Sequence, residues 1–120
     1  MLNQTRILVA DDEEGIAHLI ADVLREEGYD VQCMHDGASV LLAIQDQVPD
    51  LVILDNMMPL LSGGEALRTL RAQGFAHPII MMSANGQRQM FLDSGASGFL
   101  AKPFTIDALL QAVAWQLGRS

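Results

Sequence analysis

Apolar residues in this chain follow two alternating rhythms. Short, nearly unbroken runs at Arg6–Ala10, Val31–Met34, Leu51–Leu54, Ile79–Met82 and Gly98–Ala101 are separated by longer stretches where apolar residues recur three and four apart. The runs predict strands buried on both faces of a parallel sheet, and the spaced stretches predict helices with one buried stripe. The first helix carries the stripe Ile16, Leu19, Ile20, Val23, Leu24, starts in the acidic segment Asp11–Glu14 and stops at Gly28. Asp36–Gly37 opens a second, running to about Asp46 with Val40, Leu41 and Ile44 inward. A third follows Gly63–Gly64 with Ala66, Leu67 and Leu70 and is closed by Gly74. A brief fourth helix starts in the polar stretch Asn85–Gln89 and runs through Leu92. The last is N-capped by Thr105 and buries Ile106, Leu109, Leu110, Val113 and Leu117. Five strands alternating with five helices specify an α/β fold, a parallel sheet covered on both faces. A closed eight-fold barrel needs roughly 250 residues, and the chain has 120. With no internal repeat and no linker, residues 1–120 are expected to form a single domain.

Polar residues punctuate these strands in a consistent place. The first strand ends on Asp11–Asp12, the third on Asp55, the fourth on Ser83 and the fifth on Lys102. Each has an ordinary explanation: an acidic helix start, a strand reaching solvent, a turn serine, a surface cation. In a parallel sheet, however, all these ends face the same side, the edge at which open α/β sheets bind ligands. Their joint placement points to one site. Carboxylates held together repel, and a pair about 4 Å apart costs about 4 kcal/mol at an effective dielectric of about 20. One lysine supplies one positive charge, so a hard divalent cation with oxygen ligands is the natural complement, and Mg²⁺ uses carboxylates together with waters and phosphate oxygens. A carboxylate is also a nucleophile that forms an aspartyl phosphate. The residues alone therefore suggest metal-assisted handling of a phosphoryl group.

Composition narrows the partners. Fifteen acidic residues against seven basic ones give a formal net charge of -8, which disfavours binding to nucleic acid phosphates or anionic membranes by this domain. Half the residues are hydrophobic and 18% are charged, as in a folded domain. Cys33 has no second cysteine to pair with and reads as a core residue. No apolar run reaches membrane-spanning length and the start M-L-N-Q-T-R has no signal-peptide core, so a cytoplasmic location is expected. His18, His35 and His77 match no metal-ligand spacing, and none stands at a predicted carboxyl strand end. They read as surface or partly buried structural residues, and Trp115 as peripheral packing on the last helix.

The segments V-A-D-D-E-E, L-V-I-L-D-N-M-M-P-L-L-S-G-G, the Ser83–Ala84 step and G-F-L-A-K-P-F together resemble the receiver domains of two-component response regulators, over Arg6 to Leu117. That resemblance implies a flavodoxin-like, doubly wound five-stranded sheet in the order 2-1-3-4-5. It implies that Asp55 is a phosphoacceptor, taking a phosphoryl group from a phosphohistidine on a sensor histidine kinase or histidine phosphotransfer protein. Asp12 and Asp55 would bind Mg²⁺ directly, Asp11 through a water, and the Met57 backbone carbonyl would complete the protein ligands. Lys102 would pair with Asp55 at rest and with phosphoryl oxygens afterwards. Ser83 and Phe99 match the switch pair, Ser83 drawn to the phosphoryl group and Phe99 turning inward, although by itself Phe99 reads as a core aromatic. The bond preceding Pro103 would be cis. Such a module signals rather than turning over substrate, through a downstream protein, an output domain or a phosphorylation-linked dimer.

Two other functions use related parts. A Mg²⁺-dependent aspartyl-phosphate phosphatase or phosphotransferase acting on small molecules shares the Asp, Ser and Lys set but needs a cap over its substrate, and no segment here is free to form one. A flavin electron carrier would want a Ser/Thr/Gly-rich phosphate loop after the first strand, where four acidic residues stand instead. The sequence also departs from the family. Phe99 lacks a tyrosine hydroxyl, and the stretch between Ser83 and Gly95 is short by about 3 residues, roughly one helical turn, so the fourth helix is expected to be truncated. Met57 and Asn85, each two residues beyond Asp55 and Ser83, are candidates for setting the lifetime of the phosphorylated state. No output domain is expected within the few residues after Leu117.

Overall fold

The computed structural model describes residues 4–118. Five parallel strands, β1 (Arg6–Ala10), β2 (Asp30–Met34), β3 (Leu51–Asp55), β4 (Ile79–Ser83) and β5 (Gly98–Ala101), form one sheet in the order β2-β1-β3-β4-β5. The helices are α1 (Glu14–Glu26), α2 (Gly37–Asp46), α3 (Gly63–Ala72), α4 (Arg88–Asp93) and α5 (Ile106–Gln116), with a 3-10 turn over Asn85–Gln87 leading into α4. This is the flavodoxin-like order expected above. The strand limits agree with the apolar runs to within a residue, the differences being that Asp30, Asp55 and Ser83 are counted inside their strands.

Alternation along the strands divides the core in two. Ile7, Val9, Ile53, Ile80 and Met82 point to the face covered by α1 and α5, where Ile20, Leu24, Leu109 and Val113 meet them. Leu8, Ala10, Val52, Leu54, Ile79 and Met81 point to the face covered by α2, α3 and α4, against Val40, Ile44, Leu67, Leu70 and Phe91. Successive strand residues face opposite sides, and both sides are helix-covered, so all five residues of β3 and of β4 are buried. The parallel register then brings the strand ends together: Asp55 lies beside Met82, and Ser83 beside Ala101.

Two helix stripes differ from the expected ones. α1 buries Ala17, Ile20, Ala21 and Leu24, whereas Leu19 is 57% exposed and Ile16 and Val23 are half-buried. The buried stripe runs through Ala17, Ile20, Ala21 and Leu24, and at about 100° per residue this leaves Leu19 on the opposite side of the helix. On α5, Leu109 and Val113 are buried, Leu110 and Leu117 half-buried, and Ile106, at the first helical position, is exposed. The caps follow the sequence. Asp36 accepts from Ser39 N–H at 2.7 Å and Thr105 from Ala108 N–H at 3.0 Å. Burial chiefly pushes the Cys33 thiol up, and the side chain is half-buried against the α1 face. No helix among the described residues is long and apolar enough to cross a membrane.

Candidate functional site

Asp11, Asp55 and Ser83 are the buried polar residues among those described, and all three stand at carboxyl ends of strands. Burying a carboxylate is costly unless it is paired. Asp55 is 2% exposed and receives Lys102 Nζ at 2.6 Å on Oδ1, while the same ammonium lies 3.5 Å from Asp11 Oδ2. The sheet delivers Lys102 to that position: its N–H donates to the Ser83 carbonyl at 2.8 Å, extending the β4–β5 pairing by one residue. The Lys102–Pro103 bond is cis, as the resemblance implied.

Asp11 is anchored on one side only. Its Oδ1 accepts from Glu13 N–H at 3.0 Å, whereas the buried Oδ2 has no hydrogen-bond partner. At 3.5 Å the Lys102 contact is electrostatic rather than a hydrogen bond. Asp11, Asp12 and Asp55 each present a carboxylate oxygen within 4.8 Å of the others, and Asp12 is exposed, facing the approach from solvent. Three carboxylates against one ammonium leave two negative charges in excess. An orphaned buried oxygen, a hard all-oxygen donor set and uncompensated negative charge fit a divalent cation. This acidic cluster can hold a metal ion.

The titration of the pair carries the same message. Burial above all raises the Asp55 pKa over the ordinary carboxylate value, and repulsion from Asp11 and Asp12 adds to it; the hydrogen bond and charge of Lys102 oppose but do not cancel them. For Lys102, burial works against the ammonium, but the hydrogen bond and charge of Asp55, with Asp11 behind it, outweigh burial and raise its pKa. Lys102 therefore stays charged, and Asp55 is a carboxylate with less positive charge around it than it needs.

The loop beyond Asp55 is tied down closely. Gly63, at the start of α3, packs so tightly on β3 that a Cβ there would come within 2.2 Å of the Asp55 carbonyl oxygen. Asn56 adds a clamp, its Oδ1 accepting from Gly64 N–H at 3.2 Å and its carbonyl from Gly63 N–H at 3.0 Å. Ser62 and Glu65 close a reciprocal capping box. Between these anchors Met57 stands 73% exposed and Leu60, with φ 67°, is 83% exposed.

Ser83 and Phe99 make their own contacts on the α4 side of the site. The Ser83 hydroxyl donates to Gln87 Oε1 in the turn before α4. Phe99 is 7% exposed, stacked on Phe91 at a ring separation of 6.3 Å and covered by the Arg88 guanidinium 5.0 Å above its ring. The core aromatic read from the sequence is thus what the structure contains. The fourth helix is short as expected, six residues, with Phe91 as its buried residue.

One reading of the histidines needs correction. His35 does stand at a strand's carboxyl end, directly after β2, and its Nδ1 lies 3.1 Å from the Asp11 carbonyl oxygen. It also meets the exposed His18 edge-to-face at 5.9 Å. His35 directly follows Cys33–Met34, the end of the predicted strand, so its position at that end was open to reading from the sequence. His35 is a support for the Asp11 backbone. Gln87 and Asn56 were also missed, since a polar residue in a loop carries no periodic signal.

A doubly wound sheet with an acid cluster and a paired lysine at its carboxyl edge defines an α/β domain of the flavodoxin-like class with its candidate site at the ligand-binding edge. The model of the response regulator receiver domain matches residues 7–114, and the chain belongs to that family. It is 38% identical over 118 residues to the DNA-binding response regulator MtrA of Mycobacterium tuberculosis strain H37Rv, covering 96% of this chain and 51% of that protein. It is 40% identical over 108 residues to the response regulator MprA of Mycobacterium avium, covering 88% of this chain and 47% of that one. The chain thus spans about half the length of these relatives. Among solved structures, the receiver domain of the Francisella response regulator 1452 superposes with a TM-score of 0.92 at 35% identity, covering 97% of this chain and 98% of that one. The NtrX receiver domain of Brucella abortus superposes at 0.87 with 34% identity, covering 95% and 99%. The chain is a receiver domain of the two-component response regulator family, and that membership disfavours the small-molecule phosphatase reading.

Proposed function

We propose that Asp55 is the phosphoacceptor of this receiver domain. The observation that carries the reading is the buried Asp55 carboxylate, held by Lys102 at 2.6 Å with Asp11 and Asp12 beside it. A carboxylate oxygen of Asp55 attacks the phosphorus of a phosphohistidine on a sensor histidine kinase or histidine phosphotransfer protein. The new P–O bond forms as the P–N bond breaks, and the imidazole leaves with the electron pair. Lys102, already charged beside Asp55, turns its ammonium to the phosphoryl oxygens as charge moves onto them. Asp11, Asp12, Asp55 and the Met57 backbone carbonyl would hold Mg²⁺, Asp11 through a water. When bound, Mg²⁺ supplies positive charge at the phosphoryl oxygens. Ser83 then donates its hydroxyl to the phosphoryl group, and with Phe99 it passes the change to the α4 side of the fold.

The whole of 1–120 is read as a single receiver domain working in the cytoplasm. Its negative charge, -8 formally, leaves any contact with nucleic acid to an output domain or downstream protein. A phosphorylation-linked dimer is a further route of output. It is a phosphoacceptor rather than a turnover enzyme, at most catalysing its own phosphorylation and dephosphorylation.

The test is incubation with Mg²⁺ and radiolabelled acetyl phosphate. One phosphoryl group per chain is expected, released by hydroxylamine, absent without Mg²⁺ and absent in Asp55→Asn. Repeated turnover of free phosphate esters, or label surviving Asp55→Asn, would overturn the reading.

A further inference from the structure

The Ser83 hydroxyl has one proton to donate, and in this structure that proton is engaged. It goes to Gln87 Oε1, an acceptor four residues along the chain in the turn that leads into α4. A serine hydroxyl donates one hydrogen bond, so while it serves Gln87 it cannot serve a phosphoryl group on Asp55. The Ser83 backbone has no freedom to compensate, because its carbonyl is held by Lys102 N–H at 2.8 Å within the paired edge of the sheet. Only rotation of the side chain moves the hydroxyl from one acceptor to the other.

Gln87 also stands at the junction between the 3-10 turn and α4. Its N–H closes the 3-10 turn on the Ala84 carbonyl at 3.1 Å, and it stands at the N-cap position of α4 without making a side-chain cap bond there. The next residue, Arg88, lies over the Phe99 ring. Phe99 is already inward, against Phe91. In this structure, then, Phe99 lies inward while the Ser83 hydroxyl is engaged by Gln87.

We infer that Gln87 is a positioning residue that sequesters the Ser83 hydroxyl, so that phosphorylation proceeds by an acceptor exchange from Gln87 Oε1 to a phosphoryl oxygen. The exchange frees the Gln87 amide and with it the first turn of α4, one residue before Arg88. Gln87 therefore raises the threshold for the active state and times the response of α4. This inference rests on Asp55 being the phosphoacceptor.

The test uses beryllofluoride with Mg²⁺ as the phosphoryl mimic, followed by amide NMR on the full chain. Gln87→Met keeps length and volume but removes the strong acceptor. It is expected to lower the half-saturating beryllofluoride concentration about 3- to 10-fold, the factor that corresponds to one net hydrogen bond. Without beryllofluoride, its Ser83 and Lys102 amide signals should already be displaced toward their positions in the loaded wild-type protein. Gln87→Glu restores an acceptor and should return the half-saturating concentration to the wild-type value or above it. In a Ser83→Ala background, Gln87→Met should have no effect, since the two act through one bond. Unchanged or weaker beryllofluoride binding in Gln87→Met, or an equal gain in the Ser83→Ala background, would overturn the inference while leaving Asp55 as phosphoacceptor. A wild-type chain that binds no beryllofluoride, or binds it equally well as Asp55→Asn, would instead remove the functional reading itself.

Discussion

Asp55 and Ser83 end adjacent strands, but the structure behind them differs. Behind Asp55 stands α3, ten residues long with five buried, closed by a reciprocal capping box and pressed on the strand through Gly63. Behind Ser83 stands α4, six residues long with one buried residue and no side-chain cap bond at its start. The first arrangement holds the backbone around its carboxylate by several independent contacts, so losing any one leaves the others. The second rests on a few single contacts: Ser83 to Gln87, Arg88 over Phe99, and Phe99 on Phe91. A site that must present a nucleophile in fixed geometry is served by redundancy. A region that must change arrangement when a local charge changes is served by sparse contacts whose two states differ by little.

The comparison breaks most easily at Phe91. Its ring is 1% exposed and carries both the buried face of α4 and the stack on Phe99. Phe91→Ala should cost about 3–5 kcal/mol in urea unfolding. Amide exchange should show α4 and its turn opening first, with α3 protected until global unfolding. Equal loss of protection in α3 and α4 would show that the two regions are not separately held.

A smaller effect sharpens the other side. If the acid cluster is preformed around a metal position, Mg²⁺ at about 100 times its Kd should add about 2.7 kcal/mol to the unfolding free energy. Asp11→Asn removes one charge and the orphaned oxygen's full basicity, so most of that gain should disappear, as read by thermal unfolding with and without Mg²⁺. A Mg²⁺ gain untouched by Asp11→Asn would place the ion elsewhere.

The smallest effect concerns pH. The folded pKa of Asp55 is raised, so the folded state binds its proton more tightly than the unfolded chain does. Its contribution to stability is full below the ordinary value of 3.8 and is lost as pH rises through the raised value. Asp55→Asn, which mimics the neutral form, should therefore raise Tm at pH 7 in Mg²⁺-free buffer, and the gain should shrink as pH falls toward the ordinary carboxylate value. A lower Tm at pH 7 would mean that the Lys102 pair outweighs the cost of burying the carboxylate.

What the amino-acid order determined by itself was the set of elements and the edge where chemistry collects. Doubly buried strands must be apolar throughout, so Leu51–Leu54 and Ile79–Met82 announce themselves, and a carboxylate or hydroxyl closing such a run is conspicuous. Asp11, Asp12, Asp55, Ser83 and Lys102 were legible for that reason. Helix faces were less so. Leu19 looked inward by spacing, but the face that α1 turns to the sheet is the one carrying the alanines at 17 and 21, a matter of packing rather than period. Only the tertiary structure decided which acceptor takes the Ser83 proton, that Asp11 Oδ2 is left without a partner, and that His35 reaches the Asp11 carbonyl. Each is a contact between residues whose polar side chains carry no periodicity, so each depends on where the folded backbone brings one donor within reach of one acceptor.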